Sequence, residues 1–199
     1  RRGKPTNHKV FGEALAILAG DALVTLAFGI IARLKDLEPS QKVRLIDQLS
    51  MASGAEGMVG GQVLDMLGEG KRLSLEELEE VHLNKTGALL SYSILAGGII
   101  ANANEDIMKA LHQYSIHIGL AFQIQDDILD VEGTSEQLGK TAGKDILSEK
   151  NTYPSILTLA GAKEQLQKQY NLAIEALHPV TLNKGLLVEL ADYITKRSK

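Results

Sequence analysis

The chain has 199 residues, a formal net charge of −4, no cysteine and no tryptophan. That length suits one large domain or a big piece of one. The missing cysteines exclude disulfides, thiolate metal sites and a cysteine nucleophile, and the sparse aromatics and mild acidity argue against nucleic acid or an anionic membrane as partner.

Arg1-Arg2-Gly3-Lys4 opens the sequence without an initiator methionine or the apolar core of a signal peptide, so the chain reads as cut from something longer. Strand signals are weak throughout, and long stretches keep apolar residues at helical spacing. The spacing predicts a first helix from about Gly12 to Leu34. Its segment Ala14 to Ala32 is apolar enough to mimic a membrane span, but Asp21 in the middle would cost about 2.5–3.5 kcal/mol on insertion scales. The expectation is a buried core helix, with no stable membrane insertion.

Pro39-Ser40 opens a second predicted helix that runs to about Leu67, where Gly68-Glu69-Gly70 ends it. Gly54, Gly57, Gly60 and Gly61 lie within it, and each costs a helix interior about 1 kcal/mol against alanine. Two readings explain them: close approach of a neighbouring helix, or a wall kept bare for a substrate, with Gln62 and Asp65 lining the same space. Ser74 and Glu77 form a capping box for a third helix. That helix continues through Lys85-Thr86-Gly87 to about Ala101. Asn102-Ala103-Asn104 makes a turn, and Asn104 caps a fourth helix. Residues 132 to 152 read as loop. Thr152 and Pro154 start a short helix, and two more follow on either side of Pro179. One all-α domain over residues 1–199 results, without repeat or linker.

The fourth helix ends in Gln123-Ile124-Gln125-Asp126-Asp127-Ile128-Leu129-Asp130. Residues four apart share a helix face, so Asp126 and Asp130 point the same way with Asp127 beside them. Such like charges repel unless the face is solvated or holds a divalent cation. Mg²⁺ prefers hard oxygens and usually binds a few carboxylates together with substrate phosphates. A merely solvated acidic face is the alternative, and the apolar neighbours Phe122, Ile124, Ile128 and Leu129 weigh against it. Basic residues stand at irregularities: Arg1 and Arg2 before a glycine, Lys85 at the junction of a polar and an apolar half-helix, Lys140 after Gly139, Lys150 before a helix start. Each alone reads as a solvated charge. Together with the carboxylates they are what a diphosphate requires, since its oxyanions need neutralising and orienting. No Ser-His or Cys-His arrangement is present, and His112 and His117, five apart, share no face and read as structural or surface residues.

Arg1 through His8, the Gly20-Asp21 step, Gly60-Gly61-Gln62 with Asp65, Lys85-Thr86-Gly87, and Phe122 through Asp130 resemble, in this order, the trans-isoprenyl diphosphate synthases, with the nearest likeness to bacterial farnesyl diphosphate synthases. The resemblance implies an all-α bundle around a central cavity, a cytoplasmic homodimer, and Mg²⁺ shared between two facing aspartate clusters and an allylic diphosphate. It implies that Asp126 is the main metal ligand of the second cluster, completed by Asp127 and Asp130. By the same likeness Arg1 meets the allylic diphosphate and Arg2 isopentenyl diphosphate. Lys85, Lys140 and Lys150 lie on the allylic side, and Thr86 and Gln123 turn oxygens toward the developing allyl cation. The family's first aspartate cluster would lie upstream of Arg1, so the resemblance implies a C-terminal portion of a longer domain, catalytically incomplete as it stands. A non-catalytic subunit of a heteromeric prenyl synthase and a class I terpene cyclase are the alternatives. A cyclase normally mixes Asn or Asp with Ser or Thr and Glu in its second metal motif, where this chain has three aspartates.

Overall fold

A computed structural model describes residues 3–132 and 151–197, and all regular structure in them is helical. A five-residue α1 (Asn7–Phe11) precedes α2 (Glu13–Ala32). They are followed by α3 (Pro39–Ser53), α4 (Met58–Gly68), α5 (Leu75–His82), a π-helical turn (Leu83–Gly87), α6 (Ala88–Ile100) and α7 (Glu105–Glu132). Beyond the gap come α8 (Tyr153–Ala176) and α9 (Gly185–Lys196).

Local signals account for most boundaries. Ser74 accepts from the Glu77 amide while the Glu77 carboxylate takes the Ser74 amide at 2.7 Å, so the predicted capping box closes both ways. Ser74→Ala should cost about 1 kcal/mol of stability, read as a lower urea midpoint at unchanged slope. Asn104 Oδ1 accepts from the Ile107 amide at 2.9 Å and starts α7. Asn102, at φ 51°, takes the left-handed conformation that stops α6. Gln41 is buried and donates to the Ile99 carbonyl at 2.8 Å, tying α3 to the end of α6.

α7 is the axis. Its Tyr114, Ile118, Ala121, Ile124 and Ile128 are almost fully buried, packed on one side against Ala173, Leu177, Ala191 and Ile194 of the last two helices and their connection, and on the other against Leu78, Tyr153 and Ala162. Tyr114 donates to the Leu187 carbonyl at 2.7 Å. His117 Nδ1 meets Gln169 Oε1 at 2.8 Å, so His117 is a structural link between α7 and α8. The short helix predicted at Thr152 joins its successor across a kink at Thr158 (φ 68°, ψ 163°), whose hydroxyl accepts from the Gly161 amide. The second half of α8 therefore restarts with its own cap.

Two expectations are corrected. The helix predicted from Pro39 to Leu67 is two helices, α3 and α4, broken over Gly54–Gly57. Gly57 sits at φ −131°, ψ −124°, outside helical values, and a Cβ there would lie 2.6 Å from the Met51 carbonyl oxygen. In one unbroken helix Gly54, Gly57 and Gly61 would line one side, and the break removes that alignment. The second correction concerns α2. It is a helix where expected, but no residue of it is buried, and Leu15, Ile17, Leu18 and Leu23 are each more than half exposed. α2 is long and apolar enough to cross a membrane by length and composition. Apolarity all round gives helicity and a demand for cover, and the described residues do not supply that cover.

Candidate functional site

The interruption at Lys85 is a wider turn of helix rather than a loop. The five-residue π-turn replaces α-helical winding between α5 and α6, a local irregularity frequent at functional sites. Two glycines clamp it. A Cβ on Gly61 of α4 would stand 2.6 Å from Lys85 Cα and 2.7 Å from the Asn84 carbonyl carbon. A Cβ on Gly119 of α7 would stand 3.3 Å from Gly87 Cα. Of the two readings of the glycine group, close backbone approach therefore holds at Gly61. The same packing puts the Lys85-Thr86-Gly87 backbone directly between α4 and α7.

Gly119, Gln123 and Asp126 follow one another along one face of α7, at i, i+4 and i+7. The π-turn touches this face at Gly119, with Gln123 and Asp126 beyond it toward the end of the helix. Lys85 reaches back and pairs with Asp65 of α4 at 2.6 Å, each side chain about one third exposed. Thr86 is half-buried. Gln62 is exposed on α4.

The three aspartates do not share one environment. The Asp126 side chain is 43% exposed and forms an ion pair with Arg197, just past α9. Asp127 is buried and its Oδ2 accepts from the Tyr153 amide at 2.9 Å, where the negative charge also suits the start of α8. Asp130 is 2% exposed. Among the described residues no three histidine, aspartate or glutamate side chains converge as a metal cage. Mg²⁺ does not need one, because it commonly takes one or two carboxylates plus phosphate oxygens and water. The outward, hard-oxygen Asp126 fits that requirement. Arg1, Arg2, Lys140 and Lys150 lie outside the described residues.

Sequence reasoning missed His82 and Arg197. His82 is largely buried at the end of α5, stacked on Tyr153 with ring centroids 5.6 Å apart and planes at 15°. Its Nε2 lies 3.9 Å from Asp127 Oδ2 and its Nδ1 3.5 Å from Gln123 Nε2. Burial holds its pKa down to about 4, the Asp65 charge pulling upward and Lys85 downward. The unfolded chain protonates near pH 6.5, the folded one only near 4. Stability carried by neutral His82 is thus complete above pH 6.5 and declines as pH falls toward 4, by up to about 3 kcal/mol. The difference in urea midpoint between the protein and His82→Gln should shrink over that interval. A pH-independent difference would show that His82 is not held neutral. The sequence did carry a signal for His82, its place three residues before Lys85 on one helical face. Arg197, among basic residues at the end of a helix, carried none.

The polyprenyl synthetase family model matches residues 1–181. A farnesyl diphosphate synthase from Geobacillus stearothermophilus is 49% identical over 199 residues, covering 99% of this chain and 67% of the relative. A geranylgeranyl pyrophosphate synthetase from Pyrococcus horikoshii superposes with a TM-score of 0.90 at 32% identity, over 99% of this chain and 71% of that one. A Helicobacter pylori geranyltransferase, solved with magnesium and isoprenyl diphosphate, gives 0.84 at 35% identity, over 98% of this chain and 63% of that one. The chain thus spans about two thirds of the length of these relatives. With an all-helical fold, a glycine-clamped Lys-Thr-Gly turn and an aspartate-bearing α7 already in place, this match over nine tenths of the sequence establishes that the chain belongs to the polyprenyl synthetase family.

Proposed function

We propose that the protein is a Mg²⁺-dependent prenyltransferase that joins an allylic diphosphate, dimethylallyl or geranyl, to isopentenyl diphosphate and yields farnesyl diphosphate and diphosphate. One observation carries the reading: on α7, in line with the clamped Lys85-Thr86-Gly87 turn, Asp126 presents a half-exposed carboxylate while Asp127 is turned into the core.

Asp126 would hold the metal, with Asp127 and Asp130 completing the cluster from behind. Bound Mg²⁺ supplies positive charge to the diphosphate oxygens and so makes diphosphate a better leaving group. Lys85 adds a point charge to the same oxygens by sharing or leaving Asp65. The allylic C–O bond breaks and its electron pair stays on diphosphate. The Thr86 hydroxyl and the Gln123 amide oxygen face the allylic cation left behind. The double bond of isopentenyl diphosphate forms the new C–C bond, and the proton lost from the adduct passes to the released diphosphate. Catalysis is electrostatic throughout and needs no nucleophilic side chain. His82, within reach of the Gln123 amide nitrogen, favours the orientation in which the Gln123 oxygen points away from it.

The same reading makes the chain the C-terminal portion of one longer all-α domain in a cytoplasmic homodimer, in which further polypeptide covers the apolar α2. Its test is the full-length protein with geranyl and isopentenyl diphosphates and Mg²⁺. Farnesyl diphosphate should form and be abolished by chelation. A C20 or longer main product would overturn the farnesyl assignment, and no condensation would overturn the reaction class.

A further inference from the structure

Arg197 is held more tightly than a stray surface charge. Its side chain is 14% exposed, and its guanidinium lies 4.3 Å over the Phe122 ring centroid. Its Nη2 donates to the Phe122 carbonyl at 3.2 Å and to Asp126 Oδ1. The Gln125 amide donates to the Arg197 carbonyl at 2.9 Å, fixing the backbone as well as the side chain. The last turn of α9 is thereby fastened to the segment of α7 that carries Asp126. Among the described residues, Arg197 Nε is buried with no hydrogen-bond partner.

A guanidinium and a divalent cation make the same electrostatic demand on a carboxylate. Each wants its oxygens, and each relieves the repulsion among Asp126, Asp127 and Asp130. We propose that Arg197 is the resident counter-cation of Asp126 in the metal-free protein, and that metal loading displaces it and frees the end of α9. Metal occupancy and the position of the segment after α9 are then two readings of one equilibrium. Arg197 acts on the site through Asp126 and is a positioning residue. The inference rests on the proposal that Asp126 holds metal.

Reciprocity fixes the test: if metal must displace Arg197, removing the arginine must tighten metal binding. Free Mn²⁺ is measured by its spin-resonance signal in titrations of the full-length protein, Arg197→Gln, Arg197→Lys and Asp126→Asn. Arg197→Gln should bind Mn²⁺ about two- to fivefold more tightly, the range of an ion pair whose carboxylate is half exposed. Arg197→Lys should lie between the two. Mn²⁺ should also speed amide hydrogen exchange over residues 193–197 in the natural protein and leave it unchanged in Asp126→Asn. Equal or weaker Mn²⁺ binding in Arg197→Gln, or exchange indifferent to Mn²⁺, overturns the inference. If instead Asp126→Asn binds Mn²⁺ as well as the natural protein, the metal assignment itself fails, so the two failures are told apart.

Discussion

Asp126→Asn is expected to lower the Mg²⁺-dependent condensation rate of the full-length protein by about 10²–10³-fold, the cost of losing one well-aimed charge interaction with a developing oxyanion. The fold should survive. Asp126 is 43% exposed at the side chain, and asparagine keeps an oxygen for the Arg197 contact. Circular dichroism and the urea midpoint should therefore stay close to those of the natural protein. Asp127→Asn is the informative partner. Its carboxylate is buried on the Tyr153 amide beside His82, so its loss should appear as instability at the start of α8 as well as in rate. A stable Asp127→Asn protein with full activity, beside an inactive Asp126→Asn, would assign all metal contact to the outward residue.

Gly61→Ala should be strongly damaging to the Lys85-Thr86-Gly87 turn. The added carbon meets backbone atoms of Asn84 and Lys85, which cannot swing aside as a side-chain tip can. Overpacking of this kind reaches about 3 kcal/mol. For a chain of this size that is a fall in melting temperature of about 10 °C. Relief requires the π-turn to move off α4, taking Lys85 and Thr86 with it, so activity should fall beyond what the lost stability explains. Gly97→Ala in α6 is the control, because a Cβ there meets nothing within 4 Å. It should raise stability by about 0.5–1 kcal/mol through helix propensity. Similar outcomes at both positions would mean that the close approach at Gly61 does not constrain the turn.

The features legible in the sequence are those set by neighbours in the chain. The Ser74 box, the Asn104 cap, Pro39 at a helix start and the Lys85 interruption all depend on residues a few positions apart, and each stands where expected. The glycine-rich stretch misled because glycine inside a helical pattern signals close approach or a break, and spacing alone does not separate them. Gly61 is the first case and Gly57 the second. α2 misled for a different reason: its pattern states that it is apolar, not what lies on it. Helical periodicity put Asp126, Asp127 and Asp130 together, but only the packing of α8 determines that Asp127 turns inward. Arg197 meets Asp126 from 71 positions away, a distance that no local pattern spans.

The most direct test of the whole account is crystallographic. Crystals of the full-length protein grown with Mn²⁺ and an allylic diphosphate analogue, measured at the manganese edge, would locate the cation by its anomalous signal. A peak is expected about 2 Å from an Asp126 carboxylate oxygen, with diphosphate oxygens on its far side and Lys85 turned toward them. A cation bound away from Asp126, with Arg197 still seated on that carboxylate and the diphosphate remote from Lys85, would contradict it.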